Sequence, residues 1–457
     1  FVTPEKVAAS GALVRDLRAL ADRRALARIV IDEAHCLSQW GHDFRPDYKK
    51  LASLRAELPG VPVLALTATA TDRVVRDVIE TLGLPRCTVF RSSFNRPNLT
   101  YEVRRKPAKA AATVAEMADL IIARHAPGGR LQCGIVYALS KAECERVAVG
   151  LQAALRPRLG RGVRVAHYHA GLSAEDRAAV QSAWTHGSVP IIVATIAFGM
   201  GINKADVRFV IHNSLPKSLE GYHQETGRAG RDGGPAGAVL FYSYADAVRM
   251  KHMVRESAAE HAATARSAGG GGGGANPAAA LEAALAALGA MVAYAEEAVH
   301  CRREHLLAYF GEAARPGLCG GLCDLCAAGV ASTASVRDVT PLAAAAVRLV
   351  DDISRTERDG ISMTHLVDLL KGSQARAVRE RGHDAKPGYG AARGLAPADL
   401  PRLVRALVIR RPALLVEQTR RLDNQYGGVV CVLVPAPGAV AALAAGRERV
   451  ELAFPCG

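Results

Sequence analysis

Residues 30–51 read VIDEAHCLSQWGHDFRPDYKKL. An apolar run stops at two adjacent carboxylates, Asp32 and Glu33, and within the next dozen residues come His35, Trp40, His42, Phe44 and Arg45, in a chain that is only 5% aromatic. A strand ending in Asp-Glu suits hydrolysis of a nucleoside triphosphate: one carboxylate holds Mg2+ through water and its neighbour polarises the attacking water. The same pair also fits an ordinary turn or helix cap. LALTATAT (64–71) sets Thr67 and Thr69 at the end of an adjacent apolar run, where hydroxyls suit a relay between phosphate state and movement, or simply strand propensity. HQETGRAGRDG (223–233) spaces Arg228 and Arg231 so that both face one way if the segment is helical. Two such arginines suit a clamp on a γ-phosphate across an interdomain cleft; a solvated basic turn is the plainer reading.

A second chemistry lies in C-x17-C-x3-C-x2-C, formed by Cys301, Cys319, Cys323 and Cys326. Four thiolates at chelate spacing favour a closed tetrahedral Zn2+ shell with no open position, hence a structural metal. The glycines of GLCGGLCDLC let the backbone turn tightly round an ion. The other six of the ten cysteines are scattered, a pattern of a reducing compartment and not of a disulfide framework.

These residues need a scaffold. Length (457 residues), 49% hydrophobic and 22% charged content describe a globular chain with room for roughly three domains at ~150 residues each. A net charge of +14 favours a polyanionic partner, although solvated surface accounts for such charge equally well. The most apolar stretch, 283–295, lies between Glu282 and Glu296 and falls short of the ~20 residues of a bilayer span, which argues against a membrane protein. ARIVIDEAH, VPVLALTATAT, CGIVYALS, RVAHYHAG, VPIIVATIAFG and VRFVIHNSLP are short β-branched runs separated by helical stretches, the alternation of a parallel α/β sheet. Active residues gather at the carboxyl ends of such strands, where Asp32, Glu33, Thr67 and Thr69 fall. One sheet is expected to end near RSSFNRPNL and a second to begin around CGIVYALS. Beyond about residue 245 the pattern turns helical, interrupted by a glycine run read as a flexible insertion in a helical hairpin. From Val336 helices precede two β runs, ALLVEQ and VVCVLV, which suggests a winged helix-turn-helix.

FVTPEK (1–6), IDEAHCLSQWGHDFRPDYKKL, LALTATAT, FNRPNL, HAGLSAEDR, VATIAFGMGINKADVRFVIH and YHQETGRAGRDG together resemble the RecQ family of ATP-dependent DNA helicases, in family order over nearly the whole chain. The resemblance implies two RecA-like parallel-sheet lobes, the first truncated (1–95 and 96–245), a helical zinc-binding subdomain (246–335) and a winged-helix domain (336–457). It implies ATP and Mg2+ between the lobes and 3′ to 5′ translocation on single-stranded DNA, in recombination, repair and replication. Asp32 would contact Mg2+ through water, Glu33 serve as general base, Thr67 and Thr69 couple lobe closure, Arg231 act as arginine finger, Arg228 support the phosphates and Gln224 sit near the same cleft.

By the same resemblance the segment after the acidic pair senses single-stranded DNA, with rings stacking on bases at ~1–3 kcal/mol each. Contact or sensing falls to His35, Trp40, His42, Phe44 and Arg45, with His35 bridging the lobes rather than binding metal; Trp40 or Phe44 as an anchor within its own lobe stays open. CRR and YFGE resemble the zinc-binding subdomain, where Arg302 and Arg303 read either as DNA contacts or as helix-surface charge. HLVDLLKGS, RGHD and TRRLDNQYGGVV resemble the winged helix. Its hairpin would be a wedge with Asn424, Gln425 and Tyr426 near the tip, or a plain surface hairpin, and Ser373, Arg402 and Arg405 are candidate phosphate contacts.

No GxxxxGK[ST] phosphate loop occurs in the sequence, so the chain reads as a fragment, a truncated gene model or a degenerate copy, expected to bind ATP poorly and hydrolyse it little. A non-catalytic DNA-structure-binding module using zinc and winged-helix domains is the alternative. The resemblance further implies forked and single-stranded DNA, a topoisomerase and a single-strand-binding protein as partners, no membrane, and a nuclear location.

Overall fold

The computed structural model describes residues 1–38, 45–160, 162–199, 202–267, 277–313, 315, 317–330, 335–357, 360–421 and 429–454. They form two compact units, 1–295 with 301–324 and 296–300 with 325–457.

The first unit contains two parallel sheets. In the smaller, β1 (Ile29–Ile31) pairs in parallel with β2 (Val63–Ala65). The pairing continues past both strands, with Leu66 N donating to Ile31 O and Ala34 N to Leu66 O, each at 2.8 Å. Those two bonds set the segments carrying Asp32-Glu33 and Thr67 side by side. Ile31, Ala34, Leu37, Leu51, Val74, Val78 and Leu82 form the core beneath. Val74 and Val78 come from helix Asp72–Thr81, which starts where the Thr71 hydroxyl accepts from Val74 N.

The larger sheet comprises β3 (Leu99–Arg105), β4 (Gly134–Tyr137), β5 (Val165–Tyr168), β6 (Ile191–Ala194), β7 (Phe209–His212) and β8 (Ala236–Tyr242), in the order β3-β8-β7-β4-β6-β5 with every pair parallel. The four interior strands are buried along their whole length, as parallel strands covered on both faces must be. Packing is close enough that a Cβ on Gly134 would come within 2.1 Å of the Phe209 ring. The sheet therefore begins at Leu99 and not around CGIVYALS. LTYEVRR alternates polar and apolar residues because β3 is an edge strand, so it lacks the continuous apolar run that marks its neighbours.

Helices Tyr244–Ser267 and Pro277–Glu296 follow. The second is longer than the apolar stretch marked in the sequence: its 20 residues have the length and composition of a membrane span, with mean hydropathy 1.7. Leu288, Met291, Val292, Tyr294 and Ala295, in its C-terminal half, are buried within the protein.

The second unit has its own core, in which Val347 and Val350 of helix Thr340–Thr356, Leu366 and Leu370 of helix Met363–Lys371, and Leu403 and Leu407 of helix Asp399–Ile409 meet Leu433. After β9 (Ser335–Asp338) and these helices, β10 (Leu415–Arg421) and β11 (Val429–Pro435) form the expected antiparallel hairpin. β12 (Glu451–Phe454) returns to pair with β9. That last pairing joins two four-residue strands far apart in sequence, and neither is marked by periodicity.

Candidate active site and zinc centre

β1 delivers Asp32 and Glu33 at its carboxyl end. Asp32 is exposed, and its Oδ1 accepts from Glu33 N at 2.9 Å. Glu33 adopts φ 50°, ψ 43°, a left-handed conformation that costs a residue with a Cβ about 1–2 kcal/mol. That turn places its carboxylate between two partners. Oε1 accepts from Gln224 Nε2 at 3.4 Å, and Oε2 lies 3.2 Å from His35 Nδ1. His35 Nδ1 is also 3.0 Å from Thr67 Oγ1, which in turn donates to Thr69 O at 3.2 Å and accepts from Thr69 N at 3.3 Å. Thr67 Oγ1 already donates to Thr69 O, so the proton between His35 and Thr67 resides on His35 Nδ1. Gln224, Glu33, His35, Thr67 and Thr69 thus form one connected path from the larger sheet's domain into the smaller one.

His35 is only 2% exposed. Contact with DNA would require its ring, beside Glu33 and Thr67, to be uncovered. Arg45 begins helix Pro46–Glu57, with its backbone N–H on Cys36 O at 3.0 Å. Trp40, His42 and Phe44 lie outside the described residues.

Gln224 rides on helix Leu219–Thr226, started by the Ser218 hydroxyl, which accepts from Gly221 N. The helix ends at Thr226, so Arg228 and Arg231 sit on the following turn and not on a common helical face. Both point into the segment after β6: Arg228 Nη1 donates to Gly199 O, and Arg231 Nη1 to Ile202 O at 2.8 Å. Burial, together with the neighbouring Arg228 and Arg96 charges, pulls the Arg231 pKa below its ordinary value. Three guanidinium groups held close together are suited to an anion.

Arg96 was not singled out in the sequence, yet it fixes this turn. Nη1 donates to Gly227 O at 2.9 Å, and Nη2 to the Ala229 and Gly230 carbonyls at 3.0 Å. Asn98 Nδ2 reaches Gly230 O and Gly234 O at 2.8 Å, across a glycine at φ +57°. FNRPNL thereby clasps GRAGRDG. It is clasped in turn from the other side: Glu312 Oε2 accepts from Phe94 N at 2.8 Å, and the Phe94 and Phe310 rings stack at 4.5 Å.

The four cysteine ligand atoms all lie within 4.8 Å of one another. Cys301 Sγ and Cys323 Sγ are 3.9 Å apart, close to the ~3.8 Å edge of a tetrahedron with ~2.3 Å Zn–S bonds and far beyond an S–S bond. Among the described residues no cysteine is in a disulfide. Gly317, Gly320 and Gly321 take φ of +80°, +56° and +79° around Cys319, the turns that only glycine makes cheaply. The donor set fits a structural Zn2+ held by Cys301, Cys319, Cys323 and Cys326.

Arg302 and Arg303, 3% and 1% exposed, are not surface charges. Arg302 Nε donates to Asp324 Oδ1 at 2.5 Å. Arg303 donates to Asn95 Oδ1, Arg96 O and Leu99 O, each at 2.6 Å.

A second cluster, Glu145, His167 and His169, is of a different kind. Gly171 N donates to His169 Nδ1 at 3.2 Å, so Nε2 keeps its proton and donates to Glu145 Oε1 at 3.0 Å. His169 and Glu145 thus form a hydrogen-bonded pair.

In the second unit, Ser373 lies on the loop after helix Met363–Lys371, its Oγ accepting from Ala375 N at 3.3 Å. Arg402 is held by Asp399 at 2.7 Å and Ala453 O at 3.0 Å, and Arg405 forks onto both oxygens of Glu296 at 2.7 and 2.9 Å. Asn424, Gln425 and Tyr426 lie outside the described residues.

Four family descriptions match in succession: DEAD/DEAH box helicase over residues 1–78, helicase conserved C-terminal domain over 114–233, RecQ zinc-binding over 244–327 and RQC domain over 333–456. ATP-dependent DNA helicase Q-like 4B of Arabidopsis thaliana is 41% identical over 100% of this chain and 37% of its own length. ATP-dependent DNA helicase hus2/rqh1 of Schizosaccharomyces pombe is 41% identical over 99% of this chain and 31% of its own length. RecQ-like DNA helicase blm-1 of Caenorhabditis elegans is 41% identical over 94% of this chain and 41% of its own length. The chain spans roughly a third of these relatives, from 31% to 41% of their length. With the carboxylate path, the four-cysteine centre and the RQC match in this order, the chain belongs to the RecQ family of helicases.

Proposed function

We propose that this chain belongs to a motor that hydrolyses ATP to translocate 3′ to 5′ along single-stranded DNA and unwind forked duplexes. The contact between Gln224 and Glu33 carries the reading, because it joins the acidic pair of one sheet to the arginine-bearing turn of the other. Mg2+-ATP, when bound, supplies the phosphoanhydride bond and neutralises its charge. Asp32, exposed at the end of β1, would hold Mg2+ through water. Glu33 takes the proton of the attacking water, and the left-handed turn at this residue presents its carboxylate to the second domain. Arg228 and Arg231 stabilise negative charge on the phosphates from the opposite wall. The path through His35 to Thr67 and Thr69 carries the state of Glu33 back into the first domain.

Trp40, His42, Phe44 and Arg45 are assigned the sensing of single-stranded DNA, since they follow the carboxylates directly in sequence. Ser373, Gln425 and Tyr426 are assigned duplex contacts by the winged helix. Arg402 and Arg405, each paired with a carboxylate, are assigned phosphate contacts. The nucleus is the proposed site of action, with a topoisomerase and a single-strand-binding protein as proposed partners. ATP hydrolysis with and without single-stranded DNA, and unwinding of a fork, measured on the longest natural form of the protein, test the reading. DNA-stimulated turnover that disappears in Glu33→Gln is expected; a wild-type protein without it overturns the proposal.

A separate observation favours a DNA-structure-binding role alongside the motor. The winged-helix unit has a core of its own, so it can hold a duplex whether or not ATP turns over. Binding of a blunt duplex that is insensitive to Glu33→Gln distinguishes this role from the first.

A further inference from the structure

His212 closes β7 in the middle of the larger sheet and is 1% exposed. Its neighbour in register on β4 is Tyr137, and the two rings stack at 5.3 Å with 24° between planes. The imidazole is thus fixed in the buried centre of the sheet. Its Nε2 lies 2.7 Å from Glu225 Oε2, and because a carboxylate only accepts, Nε2–H is the donor. Nδ1 is buried with no hydrogen-bond partner among the described residues. Burying an orphan nitrogen is costly, so core packing alone gives no reason for a histidine here.

Glu225 offers one. It follows Gln224 on helix Leu219–Thr226, and its carbonyl accepts from Arg228 N at 3.3 Å. The same layer contains Tyr137, whose hydroxyl donates to Phe198 O at 3.0 Å, next to the Gly199 carbonyl that holds Arg228. Glu225, held by His212, follows in sequence the residue that reaches Glu33 and precedes the turn that carries both arginines.

We propose that His212 and Glu225 are positioning residues: the His212–Glu225 hydrogen bond sets the rotation of helix Leu219–Thr226 and so aims Gln224 and Arg228 at the acidic pair. The proposal rests on the helicase reading for its purpose, and its geometry is testable without turnover. Glutamine places its amide N–H near the position of imidazole Nε2, whereas phenylalanine keeps volume and loses the donor. His212→Gln is therefore the rescuing variant and His212→Phe the disrupting one.

The first measurement replaces Glu33 and Gln224 by cysteine and follows bridging by a short bis-thiol-reactive reagent at matched protein melting temperature. Bridging at wild-type rate in His212→Gln and at least ~10-fold slower in His212→Phe is expected, since a misplacement of about 1 Å is enough to cost such factors. Equal rates in the two backgrounds overturn the proposal, whatever the protein does with ATP. The second measurement is DNA-stimulated ATP hydrolysis of the protein with both site residues intact. A ~10-fold lower kcat in His212→Phe with KM for ATP unchanged, restored by His212→Gln, supports positioning. An equal loss in both variants overturns it. If wild-type protein shows no DNA-stimulated turnover, the helicase reading fails, while the bridging result still decides the role of His212.

Discussion

Gln224 Nε2 stands 3.4 Å from Glu33 Oε1, although 191 residues separate them in the chain. Each comes from a different sheet, so the contact reports the approach of two domains and not the local fold of either. Glu33 meets Gln224 on one oxygen and His35 on the other, which leaves the carboxylate oriented before any substrate arrives.

From this relationship the two residues should fail differently. Glu33→Gln removes the proposed base and is expected to lower kcat by roughly 10²–10⁴, with DNA affinity retained. Gln224→Ala removes only an orienting partner and is expected to cost about 10-fold. Steady-state ATP hydrolysis at saturating single-stranded DNA checks both. An equal loss in the two variants would show that Gln224 does more than orient.

The zinc centre makes a prediction about folding and not about turnover. The four sulfurs are mostly buried and gather on glycine-rich turns with no disulfide to hold them. Binding to such a site is folding free energy, on the order of 10 kcal/mol for structural zinc in small domains. Cys319→Ser or Cys323→Ser should drop the metal content by one equivalent per chain and lower the melting temperature, and a chelator should do the same to wild type. Metal analysis paired with calorimetry reads both, and a wild-type melting point indifferent to chelation would sink the structural role.

Arg303 tests whether a basic residue in a member of the RecQ family faces the nucleic acid. Three 2.6 Å hydrogen bonds to Asn95 Oδ1, Arg96 O and Leu99 O hold it inside the protein. Arg303→Ala would leave three acceptors without their charged donor, at a cost of about 3 kcal/mol or more. Chemical denaturation should show that loss. The slope of log K against log salt for DNA binding by the folded variant should stay at the wild-type value, because no phosphate contact is removed. A shallower slope would place Arg303 at the DNA.

The contrast between Arg303 and Glu33 explains how far the sequence was legible. Asp32-Glu33 announce themselves because a short apolar run, its acidic end and the following helix are all local, and the four cysteines because chelate spacing is a property of the chain itself. The role of Arg303 is set by acceptors 204 to 208 residues away, which no periodicity encodes. Arg96 and Asn98 were hidden likewise, since their carbonyl partners lie beyond residue 226. β3 escaped notice because an edge strand needs no continuous apolar run, and β9 with β12 because only their mutual pairing makes them strands. Helical spacing misled at Arg228 and Arg231, where the helix stops at Thr226 and a clasp from Arg96 takes over.

The clasp also carries a pH dependence. His223 packs against the stacked Phe94 and Phe310 rings, with centroids at 5.9 and 5.1 Å, and burial, helped by the Arg96 charge, pushes its pKa down from 6.5 to about 4. The folded state thus prefers neutral imidazole, while the unfolded chain takes up a proton near pH 6.5. The linked stability is fully present above about pH 6.5 and falls as the pH drops towards about 4, by about 3 kcal/mol in all. His223→Phe keeps the aromatic packing and removes the titration. Urea denaturation of wild type and variant across this range isolates the residue from the other histidines. The stability difference between them should shift in favour of the variant by up to that amount on acidification, and a difference that stays flat from pH 7 to pH 4 would show that His223 is not held neutral by the clasp.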